Sequence, residues 1–272
     1  MDGVKSPATI AWYRKRLAGL EARLGKVGID QVKVDQLRDW RACLLRQELS
    51  VWTLHGHVRA ARKFFRWLAE EGLLRCSPAL RLELPRLTYE PRKGIDQRDM
   101  LRMIAQARAS PRDYALVLFL ADSAARCGGV ASLTIPDLEL VRGRAVVHEK
   151  GSKARTVYLQ PRTCEALRSY LGTRVSGPVF LGLSGKGLRY DGIYQLLKRL
   201  AHRAGVTERW NPHNWRHGAA RGMLNRGANL AQVSQILGHS DVSVTVRFYG
   251  SFVDDELKAA HARYTWLPPS EE

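Results

Sequence analysis

Apolar residues recur every three to four positions through most of the chain, and the period drops to two only once. In residues 7–24, Ile10, Tyr13, Leu17, Leu20 and Leu24 make one stripe, so the segment reads as an amphipathic helix. Residues 34–48 repeat the pattern with Leu37, Trp40, Leu44 and Leu45. The strongest helix is 54–72, with Val58, Ala61, Phe65 and Leu68 inward; Gly72 stops it and Pro78 hinders a restart. Residues 84–94 hold two prolines and no helical period, as a connecting segment does. Helices follow at 96–108 and 111–125, then a turn into a second apolar patch at 133–137. At 142–159 apolar runs on either side of Glu149-Lys150-Gly151-Ser152-Lys153 predict strand, polar turn and strand. Helices at 161–171 and 191–204 flank a glycine-rich connection.

The last third is the most informative. Asn211 can cap a helix whose first position suits Pro212, and Gly227 breaks that helix. Leu230, Val233, Ile236 and Leu237 mark another, stopped by Gly238. His213 and Arg216, three apart, are predicted to emerge on one helix face, and a polar start at Ser240-Asp241 leads to Tyr249. A final helix is expected at 254–263. The fold class is therefore mainly α with a small β-hairpin (α+β), divided into a helical domain 1–86, a linker 87–95 and a mixed domain 96–272.

Composition adds a partner class. The 272 residues suffice for two cores. Lys and Arg outnumber Asp and Glu by 44 to 26, a net charge of +18. Residues 1–95 hold 19 basic and 10 acidic side chains, and 96–272 hold 25 and 16, so the excess is shared and no basic tail carries it. A polyanion touched by both domains is the natural inference. Between the apolar positions of 54–72 lie His55, His57, Arg59, Arg62, Lys63 and Arg66, a stripe that is either a solvated face or a phosphate contact. Four scattered cysteines without a C-x-x-C pair argue against a zinc ribbon or disulfide framework. With no long apolar run and no signal-peptide pattern, a cytoplasmic protein is expected. Gly182, Gly185 and Gly187 lack the lysine and the strand–helix context of a nucleotide loop.

A protein nucleophile that attacks a phosphodiester needs an activated hydroxyl, cationic donors for the phosphoryl oxygens and an acid for the leaving oxygen. Arginine suits the second task, because its fork donates two hydrogen bonds and keeps its charge. A tyrosine can carry the phosphoryl group covalently, so religation needs no nucleotide. Lysine and histidine can supply protons. The order here is Arg126, Lys150, His213, Arg216, His239 and Tyr249. His213 and His217 share an H-x-x-x-H spacing, but Asn214 stands where a zinc protease has glutamate, and no ligand set is completed. His217 reads as a packing or hydrogen-bonding residue and Trp215 as core.

This ordered set resembles the tyrosine site-specific recombinases, the phage-type integrases and Xer-type enzymes, over nearly the whole chain. The resemblance implies a helical core-binding domain and a catalytic domain on opposite faces of double-stranded DNA. It implies that Arg126 grips the scissile phosphate and that Lys150, or else Lys153, protonates the 5′-oxygen. His213 and Arg216 match the H-x-x-R pair, and His239 the next histidine position. The resemblance further implies that Tyr249 forms a 3′-phosphotyrosyl link in a homotetramer on paired sites, without metal or nucleotide cofactor. An accessory or directionality protein is a possible further partner. Two positions depart from the pattern. An acidic residue usual three after the first arginine is Gly129 here. Tyrosine usually comes nine residues after the histidine of Leu-Gly-His; here that residue is Phe248, and Tyr249 is the tenth. One residue turns a helical side chain by about 100°. Either a local adjustment returns Tyr249 to the site, or the nucleophile is lost, with Tyr264 a distant alternative. A DNA-binding accessory protein without cleavage is the second reading. A metal-dependent nuclease is the third, and no carboxylate cluster accompanies the basic site to support it.

Overall fold

Ser50 opens the longest helix, its hydroxyl accepting a hydrogen bond from the Thr53 amide at 3.2 Å. The computed structural model describes residues 7–87, 93–149, 153–238 and 241–249. Two compact units divide the chain, Met1–Thr88 and Tyr89–Glu272.

In the first unit, α1 (Pro7–Leu24), α2 (Val34–Leu45) and α3 (Val51–Glu70) enclose one core. Leu37, Trp40, Val58, Ala61 and Phe65 are its fully buried centre, and Leu74, Ala79 and Leu82 from the following chain close it. At Gly56 an added Cβ would stand 3.4 Å from Arg16 Nε and 3.6 Å from Trp12 Cζ2, so α1 packs closely over that glycine. The helices lie where the apolar period predicts, with two corrections to the buried stripe. Ile10 and Leu45 are 48% and 58% exposed. Leu45 is the last residue of α2, which ends three residues before the predicted limit, and Glu48 takes a positive φ of 50°.

The second unit is built around α5 (Pro111–Ser123), whose residues Ala115 to Leu120 are all buried. Such a helix is apolar on every side because helices surround it: α4 (Gln97–Ala107), α7 (Pro161–Leu171) and α9 (Pro212–Asn225) all pack on it. α8 (Tyr190–Arg203) contacts α4 and α9, and also α6 (Cys127–Ala131). α10 (Leu230–Leu237) and α11 (Val242–Tyr249) pair with each other, and α10 rests on α9.

The predicted hairpin forms as β2 (Arg144–Glu149) and β3 (Lys153–Tyr158), antiparallel, with Val147 opposite Arg155 and Glu149 opposite Lys153. β1 (Leu138–Glu139) adds a third strand beside β2. Periodicity missed β1 and α6 because two and five residues are too few to display a repeat. The expected helix at 254–263 lies outside the described residues, as do residues 88–92 of the expected linker. No described helix is long and apolar enough to cross a membrane.

Candidate active site

The site begins where α5 ends. Ala124 takes a left-handed conformation at φ 48°, unusual for a residue with a Cβ, and this turns the chain sharply into α6. Ser123 braces the turn, its hydroxyl accepting from the Ala125 amide at 3.2 Å and donating to the Phe119 carbonyl at 2.6 Å. Arg126 follows as the residue that caps α6 and keeps 43% of its side chain exposed.

Arg216 approaches the same turn from α9. Its Nη1 donates to the Ala124 carbonyl at 2.8 Å and its Nη2 to the Leu237 carbonyl at 2.6 Å. One guanidinium thus joins the strained turn to the end of α10, and only 4% of it is exposed. Arg155 arrives from β3, donating to the carbonyl of Ile236. Its side chain crosses Gly238, which ends α10 at φ 65° and where an added Cβ would lie 2.9 Å from Arg155 Nε. Glu149 stands among the three. One carboxylate oxygen pairs with Arg126, while the other lies 3.2 Å from Arg155 Nη2 and 3.8 Å from Arg216 Nη1.

Burial disfavours the charged forms of these arginines. It lowers Arg216 to about 9, with repulsion from Arg126 and Arg155 adding to the effect, and lowers Arg155 to about 10. Arg126 is lowered by the same causes, burial first and then Arg155. Arg216 and Arg155 remain cationic near neutrality, and an arrangement of this kind can present preorganised donors to an anion.

α9 supplies the histidines. Asn211 Oδ1 accepts from the His213 and Asn214 amides at 3.1 and 3.2 Å, as its capping role predicts. Gly218 lets the incoming chain cross α9, since a Cβ there would sit 2.8 Å from the Ile95 carbonyl oxygen, and the Ile95 amide donates to the Asn214 carbonyl at 3.0 Å. His213 is exposed, and its ring meets that of His217 edge-on at 4.4 Å. His217 is buried, with Nδ1 hydrogen-bonded to the Tyr249 hydroxyl. Tyr249 is 2% exposed and packs with Ala124, Ala220, Val233 and Leu237.

Arg126, Arg216 and Tyr249 therefore share one neighbourhood, with His213 at its rim through His217. Although His213 and Arg216 are three apart on α9, His213 is exposed and Arg216 points inward, and Tyr249 is a core side chain; Arg216 and Tyr249 both hydrogen-bond to elements far away in sequence. Lys150 and His239 lie outside the described residues. Lys153 opens β3 opposite Glu149. In the first unit Arg59, Lys63 and Arg66 are exposed and Arg62 is half-buried. Arg59 stacks over the Trp12 ring at 5.3 Å, while Arg62 and Arg66 border a hollow with Ala79 and Leu80. His57 leaves the predicted stripe, since its Nδ1 faces the Arg16 carbonyl oxygen at 2.9 Å. Among the described residues no group of three or more His, Cys, Asp and Glu side chains is placed to hold a metal ion.

Glu149 and Arg155 were missed. Their signal was strand parity: Ala145, Val147 and Glu149 alternate on one face of β2, and the register sets Arg155 opposite Val147 on that same face.

Comparison with known proteins gives concordant matches. The model of the phage integrase family matches residues 93–253, and that of the phage integrase N-terminal SAM-like domain matches residues 2–72. The chain is 30% identical over 263 residues to the tyrosine recombinase XerC of Lactobacillus delbrueckii subsp. bulgaricus, covering 88% of this chain and 87% of that protein. It is 28% identical over 252 residues to XerC of Alcanivorax borkumensis, covering 88% and 82%. Among solved structures, the Tn1549 transposon integrase in complex with a circular intermediate DNA superposes with a TM-score of 0.78 at 18% identity, over 96% of this chain and 95% of that one. The XerH site-specific recombinase bound to its difH substrate gives 0.73 at 18% identity, over 96% and 80%.

Proposed function

The chain belongs to the phage integrase family of Xer-like tyrosine recombinases, and on that premise we propose that it cleaves and rejoins double-stranded DNA at specific sites through a covalent tyrosyl intermediate. The observation that carries this reading is the convergence of Arg126 and Arg216 beside a turn that also packs on Tyr249, whose hydroxyl meets His217.

In this reading the arginines hold the non-bridging oxygens of the scissile phosphate and neutralise the charge that grows on them in the transition state. The Tyr249 oxygen attacks phosphorus, its proton passing to a nearby base. The bond to the 5′-oxygen breaks, and that oxygen takes a proton from Lys150, or from Lys153, to leave as a hydroxyl. A 5′-hydroxyl from the partner duplex then attacks the phosphotyrosine and releases the enzyme. One phosphoester replaces another at each step, so no nucleotide is consumed. His213 and His239 complete the donors around the phosphate. Residues 96–272 form the catalytic domain, 87–95 the linker, and 1–86 a DNA-binding domain in which Arg59, Arg62, Lys63 and Arg66 meet phosphates. The working assembly is a homotetramer on paired sites, with an accessory protein possible, and no membrane is involved.

The burial of Tyr249 favours a second reading, a relative that binds a DNA site without cutting it. One experiment separates the two. Wild type and Tyr249→Phe are incubated with nicked duplexes in chelator, run on a denaturing gel and digested for mass spectrometry. A phosphotyrosyl peptide at Tyr249, absent from the variant, is the expected result. Binding with no adduct at any tyrosine overturns cleavage in favour of the second reading.

A further inference from the structure

Three cations meet at one buried carboxylate in this site, and the carboxylate comes from an unexpected element. We propose that Glu149, at the end of β2, is the positioning residue that holds Arg126, Arg155 and Arg216 in the geometry needed to receive a phosphodiester, a role that rests on the strand-cleavage reading above.

Three observations carry it. The first is division of labour between the two carboxylate oxygens: one serves Arg126, and the other lies 3.2 Å from Arg155 and 3.8 Å from Arg216. Only 7% of the Glu149 side chain is exposed, whereas Arg126 keeps 43%. One edge of the Arg126 guanidinium is therefore anchored while the rest faces solvent, where a phosphate can enter. The second is strand parity. Glu149 continues the inward face of Ala145 and Val147, so an acidic group sits where the alternation calls for an apolar one. A carboxylate buried in this way is tolerated only with partners, and the arginines supply them. The third is Gly129. A Cβ there would lie 3.9 Å from Glu149 Cγ and 3.2 Å from the His148 carbonyl oxygen. Gly129 thus lies directly beside the Glu149 side chain and the backbone that carries it.

The electrostatics follow. Without the carboxylate, three guanidinium groups share one partly buried site; burial already lowers Arg216, and repulsion from Arg126 and Arg155 lowers it further. With it the cluster keeps two positive charges in excess. A phosphodiester brings one negative charge, and a phosphorane-like transition state develops a second. The cluster is thus better matched to the transition state than to the bound substrate.

The test uses the full chain with Glu149→Gln and Glu149→Asp. Phenylglyoxal labelling, mapped by mass spectrometry, reports how firmly the arginines are held and needs no catalysis. In Glu149→Gln, labelling of Arg126 rises about tenfold while that of the surface residue Arg142 is unchanged. Adduct formation on nicked DNA falls about 100-fold, the order lost with one preorganised contact, while the Kd for DNA stays within about twofold, since most cationic contacts remain. Glu149→Asp keeps the charge and recovers part of both. A merely structural role would lower thermal stability without selective exposure of Arg126 and without rescue by Asp. Labelling and cleavage both within twofold of wild type in Glu149→Gln overturn the proposal. If wild type itself forms no adduct, strand cleavage fails, and the labelling still decides whether Glu149 holds the arginines.

Discussion

Nδ1 of His217 meets the hydroxyl of Tyr249, 32 positions further along the chain, and both side chains are buried. This contact closes α11 onto α9 and fixes the depth of the tyrosine. Replacing Tyr249 by Phe removes one hydrogen bond from a packed site while keeping the ring. We expect a stability loss of about 1 kcal/mol in denaturant unfolding, together with complete loss of the covalent adduct. His217→Ala should cost more, because it also opens a gap beside the ring.

Alkaline pH should inactivate the enzyme before it unfolds. Burial holds Arg216 at about 9 in the fold, well below the ordinary guanidinium range of the unfolded chain. Between those values the unfolded chain binds the proton more firmly, so this group's contribution to the unfolding free energy rises with pH. Its grip on phosphate is lost over the same range. Single-turnover cleavage should therefore fall as pH passes 9, while circular dichroism stays constant.

Gly238 is the place where α10 stops and Arg155 passes. A methyl group there meets both a left-handed φ of 65° and the Arg155 side chain. Gly238→Ala should cost about 1–2 kcal/mol through the backbone alone. It should also slow cleavage by displacing Arg155 from the Ile236 carbonyl. Gly25 is also left-handed at φ 58°, but no described residue comes within 4 Å of an added Cβ there. Gly25→Ala should show the backbone cost with cleavage unchanged.

Trp40 is 2% exposed in the core of the first unit, and its indole nitrogen has no hydrogen-bond partner among the described residues. Trp40→Ala should destabilise that unit by about 3–5 kcal/mol. Trp40→Phe should cost distinctly less, because it removes an unsatisfied donor together with part of the ring. Urea unfolding of the two variants measures the difference.

DNA binding should weaken linearly in a plot of log affinity against log salt concentration, as counterion release requires. If Arg59 and Arg66 on the exposed side of α3 contact phosphates, neutralising either should reduce the slope by about 1 without changing sequence preference. An unchanged slope would assign that stripe to solvent.

Much of this protein was legible before its structure. The three helices of the first unit follow from one apolar residue per turn, and Asn211-Pro212 announced α9 because a cap and a preset φ act locally. The hairpin was legible from its change of period. Gly227 and Gly238 marked the ends of α9 and α10. Departures came where the determining partner lay far along the chain. Ile10 and Leu45 fitted their stripes yet are exposed, since a stripe says which face can be buried and not how much of it a neighbour covers.

The sequence by itself determined the longer helical elements, the shared positive charge and the ordered set of residues by which the family is recognised. Each depends on local spacing or simple composition. Only tertiary structure decided that Arg216 is buried while His213 is exposed, that Tyr249 is a core side chain, and that Glu149 enters the space beside Gly129. Arg216 finds its acceptors 92 positions away at Ala124 and 21 away at Leu237, and Arg155 finds Ile236 81 positions away. Hydrophobic periodicity is a property of one segment, whereas satisfying a buried charge requires several segments to converge.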